Sequence, residues 1–214
     1  MDDLASLPIL SAVELRVIGS LLEKSKTTPE YYPMTLNSLQ AACNQKSSRK
    51  PVVSYDEHTI IEALDTLRKR GLISTVVGGG SRVTKYKHNM AIQYPLIPQE
   101  LAALCLLLLR GPMTPGEINS NAGRLFDFES IDEVQEVLNR LQAQDPPFVQ
   151  MLPKRAGQKE VRYMHLLGTV TDEDYETPTG NDNDAQMLEA RVASLEAQLA
   201  TLREEFDKLM QQLT

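Results

Sequence analysis

An internal repeat constrains this chain of 214 residues more than any other feature of its sequence. Three short motifs in the first half recur in the second half at one common offset of 86 residues. The matched pairs are Glu14-Leu15 with Glu100-Leu101, Leu21-Leu22 with Leu107-Leu108, and Thr28-Pro29 with Thr114-Pro115. A shared offset for three motifs indicates duplication, so the chain is predicted to contain two related units.

Each unit is predicted to consist of three helices followed by a β-hairpin. Ser11 and Glu14 have the spacing of a capping box, and the apolar residues after them recur at helical period. Gly71 is predicted to end the third helix, and Gly78-Gly79-Gly80 to turn the hairpin. The predicted helices of the first unit begin near residues 11, 35 and 55, and its strands cover 72–77 and 83–88. The corresponding segments of the second unit are helices at 99–110, 115–124 and 130–144 and strands at 148–152 and 161–167.

This order of elements predicts an α+β chain of two tandem winged helix-turn-helix domains. The first domain is predicted at 1–94 and the second at 95–167. Residues 168–184 are acidic and contain few large apolar groups, so they are predicted to form a mobile linker. Residues 185–214 are predicted to form a coiled-coil helix.

The tail carries apolar residues at alternating spacings of four and three, which is a heptad seam. A helix lying on the protein's own domains is the alternative, but such a helix usually shows a broader apolar face. The pattern therefore favours a homodimer through the tail, without fixing helix orientation or excluding a higher oligomer. The predicted oligomerisation residues are Leu188, Val192, Leu195, Leu199, Leu202, Phe206, Leu209 and Leu213.

Several classes of protein are disfavoured by the sequence. The longest apolar run, 101–109, spans about 13 Å as a helix, whereas a hydrocarbon core is about 30 Å thick. The start Met1-Asp2-Asp3 lacks the features of a signal peptide, so the cytoplasm is the expected location. Cys43 and Cys105 are expected to be buried thiols. The histidines have no metal-binding spacing, and no phosphate loop or catalytic group is apparent, so no metal, cofactor or enzymatic activity is predicted.

The net charge of −7 is unevenly distributed along the chain. The first 97 residues hold 12 Lys and Arg against 9 Asp and Glu, and residues 98–167 hold 7 against 9. Residues 168–214 hold only 3 against 11. The acidity belongs mostly to the tail, so it does not exclude a polyanionic partner for the front of the molecule.

Basic residues of the first unit form the candidate nucleic-acid-binding site. They lie in a loop between the second and third helices and on the predicted hairpin, where Lys85 and Lys87 share one strand face. The third helices oppose base reading, because they begin with acids such as Asp56, Glu57 and Asp132. Acids in a first helical turn also have a structural explanation, since they complement the helix dipole. The candidate residues are Lys46, Arg49, Lys50, Arg82, Lys85 and Lys87.

Several segments together resemble the YceH family of bacterial proteins over about residues 11–167. The resemblance implies tandem winged helices and implies no particular activity. The segments that carry it are Glu14-Leu15-Arg16-Val17-Ile18-Gly19, Leu21-Leu22-Glu23-Lys24, Ala42-Cys43-Asn44-Gln45-Lys46, Arg82-Val83-Thr84-Lys85-Tyr86, Leu108-Leu109-Arg110-Gly111, Thr114-Pro115-Gly116-Glu117 and Arg162-Tyr163-Met164-His165-Leu166.

Two functions follow from these patterns. The first is a dimeric DNA-binding regulator that contacts the duplex through the basic loop and hairpin of the first unit. The second is an adaptor whose acidic winged helices bind a protein partner instead of DNA. An enzyme is the weakest of the three classes, because no catalytic set of residues can be assembled from the sequence.

Overall fold

The first half of the chain folds into helices and a small sheet in the predicted order. The structure, a computed structural model, describes residues 7–78, 81–154 and 159–169. The first half comprises α1 (Ala12–Thr27), β1 (Met34–Thr35), α2 (Leu36–Cys43), α3 (Glu57–Lys69), β2 (Ile73–Gly78), β3 (Ser81–His88) and α4 (Met90–Gln93). The second half comprises α5 (Pro98–Arg110), α6 (Pro115–Ala122), α7 (Ile131–Ala143), β4 (Val149–Met151) and β5 (Tyr163–His165).

Each half contains a small antiparallel sheet. In the first half β3 lies between β1 and β2, and in the second half β4 pairs with β5. The part of the chain that the structure describes therefore contains seven α-helices and two small antiparallel sheets, which confirms the predicted α+β class. None of the helices described is long and apolar enough to cross a membrane.

Local sequence signals set the helix ends. Ser11 and Glu14 form the predicted capping box at the start of α1, with the amide of Ser11 donating to Glu14 Oε2 at 2.7 Å. The matching Glu100 accepts from the amide of Ile97 at 3.1 Å at the start of α5. Gly71 follows α3 with a φ of 73°, a left-handed conformation that favours glycine.

The second helices of the two halves begin at equivalent Met-Thr pairs, which corrects one motif match. Thr35 caps α2 and Thr114 caps α6. The preceding methionines occupy equivalent places too, since Met34 pairs with Tyr86 and Met113 bridges Tyr163. Matching Thr28-Pro29 to Thr114-Pro115 was therefore wrong: Thr28 lies at the end of α1 and is separated from α2 by the turn Pro29–Tyr31, whereas Thr114 directly precedes α6.

The two halves share one hydrophobic core, which is centred on α1 and α5. A Cβ at Gly19 of α1 would lie 2.8 Å from Leu109 Cδ2 of α5, so only glycine allows this approach. The Cys105 thiol donates to the carbonyl oxygen of Gly19 at 3.5 Å. All described residues accordingly belong to one compact unit, and the boundary predicted at residue 94 falls between α4 and α5 within it.

Both cysteines are free and buried, as the sequence predicted. Burial raises the pKa of the Cys43 thiol to about 11 and also raises the pKa of Cys105. Both side chains are therefore neutral thiols at physiological pH, and they act as small apolar groups in the core.

The first residue of the predicted linker, Gly168, is packed against the folded part of the chain. Gly168 is buried and forms a bridge with Leu10, whose amide donates to the carbonyl of Leu167 at 2.8 Å. A Cβ at Gly168 would lie 2.8 Å from Leu15 Cδ1, so the folded part includes this residue. The rest of the predicted linker, from residue 170, and the coiled-coil helix predicted at 185–214 with its heptad residues lie outside the described residues.

Candidate nucleic-acid interface

Arg49 anchors the basic loop, which we define as residues 46–50. Its guanidinium forms a two-pronged ion pair with Glu23 of α1, at 3.0 Å to Oε1 and 2.7 Å to Oε2. It also donates to the carbonyl of Ala42 from Nε and Nη2 at 3.1 and 2.9 Å. With 6% of its surface exposed, Arg49 is part of the protein interior.

This burial corrects the assignment of Arg49 to the DNA-binding surface. Its guanidinium already meets a carboxylate and a main-chain carbonyl, so it is not available to a phosphate. The pair also affects Glu23: burial by itself would raise the pKa of this carboxyl, but hydrogen bonds and charge from Arg49 and then Lys24 together outweigh burial and lower the pKa. Arg49 therefore holds the loop in place from inside.

Lys46 and Lys50 are the cations that the basic loop exposes. Neither has an ion-pair partner among the described residues. The loop between them is fixed from the second half as well, because the amide of Lys50 donates to the carbonyl of Leu109 at 2.9 Å. Arg110 Nη2 donates to Ser48 Oγ at 2.9 Å. The two lysines thus project from an ordered loop.

Two arginines of the second half extend the basic character of this region, and sequence reasoning missed both. Arg110 and Arg124 line a polar cleft of about 170 Å³ together with Ser47 and Ser48 of the basic loop. Neither arginine stood out in the sequence, because each lies 60 or more residues beyond the loop. Only the packing of α5 against the first half brings them there.

Lys85 and Lys87 lie on the outer face of the first sheet. In the register of the hairpin they pair with Val76 and Ser74, whereas the intervening Tyr86 lies on the opposite face, toward the core. Both lysines are half-buried, and neither has an ion-pair partner among the residues that the structure describes. Arg82 belongs to β3, but its side chain lies outside the described part of the structure.

The predicted basic residues are held in place by two different sets of contacts. The basic loop is anchored to α1, α2 and α5 through Glu23, Ala42 and Leu109. Lys85 and Lys87 are held by strand pairing in the sheet. The predicted surface therefore consists of two separately supported parts, a loop and a strand.

The third helices present carboxylates to solvent. On α3, Glu57, Glu62 and Asp65 are exposed. Asp65 forms an ion pair with Arg68 at 3.0 Å, and Glu62 lies 3.6 Å from the His58 ring. Asp56 caps this helix by accepting from the amide of Thr59 at 2.8 Å, and hydrogen bonds from Thr59 lower its pKa.

The third helix of the second half has the same character. Ser130 caps α7, and Asp132 and Glu133 lie in its first turn, with Glu136 exposed one turn later. Acids at these places suit the helix dipole, but they would repel the phosphates on either side of a DNA groove. Neither third helix is therefore suited to enter a groove by its amino-terminal end.

No group of three or more His, Cys, Asp and Glu side chains suited to a metal ion occurs within residues 7–78, 81–154 and 159–169. His88 is partly buried with its Nε2 at 3.3 Å from Ser25 Oγ, and burial lowers its pKa to about 4. It is a neutral packing residue at physiological pH, facing Tyr32 with ring centroids 6.0 Å apart.

Comparison with known proteins gives the family of this chain. The family model described as "Protein of unknown function, DUF480" matches residues 10–158. A UPF0502 protein of Opitutus terrae is 53% identical over 163 residues, which are 76% of this chain and 71% of that relative. A UPF0502 protein of Shewanella halifaxensis is 45% identical over 211 residues, covering 94% and 98% of the two chains. One from Shewanella oneidensis is 42% identical over 220 residues, covering 96% and 99%. The chain therefore belongs to the DUF480 or UPF0502 family, in agreement with its YceH-type motifs.

Proposed function

We propose that this protein is a dimeric winged-helix regulator that binds duplex DNA. In this proposal each half is a winged helix, because three helices are followed by an antiparallel hairpin in both. The first half contacts the phosphate backbone through Lys46 and Lys50 of the basic loop and Lys85 and Lys87 of β3. No catalytic step is part of the proposed function.

The ordered basic loop is the observation that carries this proposal. Arg49, Ser48 and the amide of Lys50 all bond to other elements, so the loop needs little further ordering when it meets a partner. Binding by such a preorganised loop loses less conformational entropy than binding by a free one. Lys46 and Lys50 are exposed at its two ends, without carboxylate partners among the described residues.

The acidic third helices define what kind of DNA contact is proposed. Because Glu57, Glu62 and Asp65 face solvent on α3, the helix is assigned no base contacts. The lysines contact phosphates, which fixes affinity and orientation but not sequence. Any preference among sequences then comes from the shape and deformability of the duplex.

The experiment is a titration of a fluorescent mixed-sequence duplex with the full chain at several salt concentrations. Four phosphate contacts per chain make eight for a dimer that contacts the duplex with both chains, which predicts a slope of about −7.2 for log K against log salt. The charge-reversed variant K46E/K50E is expected to reduce both the affinity and the steepness of this slope. Its matched control is K154E/K159E, which makes the same charge change at two exposed lysines of the second half.

Three outcomes would contradict the DNA proposal. The first is no retardation of duplex by the wild-type chain at low salt. The second is equal weakening by the variant and its control, which would show a general charge effect. The third is a binding constant that does not depend on salt.

A protein-binding adaptor is the second candidate, and the exposed acids of the third helices favour it. A partner with a basic surface would meet Glu62 and Asp65 on α3 and Glu136 on α7 without phosphate repulsion. In pulldowns from lysate, a specific partner should be retained by K46E/K50E and lost by E62K/D65K. Duplex binding that survives E62K/D65K but not K46E/K50E favours the regulator.

A further inference from the structure

A cavity of about 390 Å³ lies beside Lys50 at the end of the basic loop, and Arg110 and Arg124 do not line it. Its walls come from both halves: the start of α1, the chain that follows the basic loop, the last turn of α5, and β5. The apolar part of the wall includes Leu15, Leu107 and Met164. The polar part includes Arg16, Lys50 and Tyr55. The volume is that of a pocket for a small organic molecule.

Arg16 is the unusual residue of this cavity. Only 4% of its surface is exposed, and it donates from Nη1 to the carbonyl of Cys43 at 3.0 Å and from Nη2 to the carbonyl of Pro51 at 2.6 Å. These carbonyls orient the guanidinium but carry no net charge. Among the described residues no carboxylate forms an ion pair with it.

Other arginines of the fold show what is missing at Arg16. Arg49 is equally buried and pairs with Glu23, and Arg162 pairs with Glu117 at 2.7 Å. A buried charge without a counter-ion is unfavourable, and burial followed by the charge of nearby Arg49 lowers the pKa of Arg16 despite the opposing influence of Tyr55. Glu14, the nearest acid in sequence, accepts from the amide of Ser11 and does not line the cavity.

We propose that this cavity binds a small organic anion, a carboxylate with an apolar body, whose charge is balanced by Arg16. A guanidinium has five N–H donors, and the two carbonyls use only two of the hydrogen bonds that it can form. The anionic group lies against Arg16, with Lys50 at the rim and the Tyr55 hydroxyl as a further donor. The apolar body packs on Leu15, Leu107 and Met164. The site shares Lys50 with the proposed DNA surface, but its central group, Arg16, has no part in the proposed DNA contacts, so binding of the anion can be tested without DNA.

The test uses 2-naphthoate as the probe and 2-naphthylmethanol as its uncharged counterpart. Isothermal titration calorimetry on the full chain is expected to show one naphthoate per chain and much weaker binding of the alcohol. The variant Arg16→Met is expected to weaken naphthoate binding by about tenfold or more, because it removes the buried cation. The matched control Arg124→Met removes an exposed cation outside the cavity and should bind as the wild type does.

A second variant keeps the test valid if Arg16→Met does not fold. Ala12 is an exposed residue of the cavity wall, so Ala12→Trp places a large side chain at the opening without removing a core contact. Its naphthoate binding should be lost while its thermal unfolding stays close to that of the wild type. The proposal is overturned if naphthoate does not bind at millimolar concentration, if the alcohol binds equally well, or if a folded Ala12→Trp chain binds the probe unchanged.

Discussion

The ion pair of Arg49 with Glu23 holds the basic loop to α1. The Arg49 and Glu23 side chains are 0% and 14% exposed, and Glu23 is the carboxylate that compensates Arg49, whereas Glu23 also meets Lys24 Nζ at 3.2 Å. Removal of one partner of a buried pair leaves the other charge unpaired, which costs about 3 to 5 kcal/mol. The same contact therefore contributes to the stability of the first half and to the position of Lys46 and Lys50.

We expect Glu23→Met to lower the free energy of unfolding by about 3 kcal/mol, because it leaves the Arg49 guanidinium buried without an acid. The double variant Glu23→Met with Arg49→Met should recover part of this loss. Urea unfolding of both single variants and the double variant gives the coupling between the two side chains. If the losses of the single variants simply add, the pair does not hold the loop.

His88 provides a prediction about pH. Burial and then the charge of Lys26 lower its pKa from 6.5 to about 4, so between these values the unfolded chain binds more protons than the folded one. The contribution of His88 to stability is therefore present above pH 6.5 and is lost as the pH falls toward 4. The urea midpoint of the wild type should fall more over this range than that of His88→Gln.

The measurement that isolates this effect is an NMR titration of the His88 ring. The ring should stay neutral until the pH approaches about 4. A midpoint near the ordinary histidine value would contradict the burial argument, and so would equal pH dependence of the wild type and the variant.

The packing of α1 on α5 depends on the absence of a side chain at Gly19. Alanine there gains helix propensity worth about 1 kcal/mol, but its Cβ would overlap Leu109, and overpacking of a core costs about 1 to 3 kcal/mol. We expect Gly19→Ala to lower the melting temperature and Gly19→Val to lower it further. Gly123→Ala is the matched control, since a Cβ there meets nothing within 4 Å and φ is −49°. A Gly19→Ala chain as stable as this control would contradict the overlap.

Helices and strands were the features that the sequence predicted best. Capping residues such as Ser11 and Thr114, the apolar period of α1, and Gly71 are local signals, and the structure has the elements where they indicate. The two-residue strand β1 was not predicted, because its pairing with β3 is made by residues about 50 positions apart. The match of Thr28 to Thr114 was wrong for a similar reason, because a short motif does not show how the chain continues after it.

The candidate site was predictable only in part. Clustering of Lys46 and Lys50 in one loop is visible in the sequence, and so is the shared face of Lys85 and Lys87. The burial of Arg49 could not be predicted, because the sequence does not show that Glu23 of another helix is its partner. The cavity at Arg16 was equally hidden, since its walls join residues of both halves.

The whole molecule is proposed to be a dimer through the heptad seam of its tail. The double variant L195E/L202E places two charges in this seam and is expected to give a monomer, because charged side chains at core positions of a coiled coil are unfavourable. The matched control S194E/T201E adds the same charges outside the seam and should stay dimeric. Light scattering after gel filtration gives the mass of each, and a monomeric wild type at tens of micromolar would refute the dimer.

The close contact of Gly19 with Leu109 has a practical consequence for dissecting this protein. A fragment that ends near residue 94 would expose the buried face of α1 to solvent, and the complementary fragment would expose Leu104, Leu107 and Leu109 of α5. Each piece would then aggregate instead of reporting on one lobe. Chimeras of two relatives should therefore take α1 and α5 from the same parent.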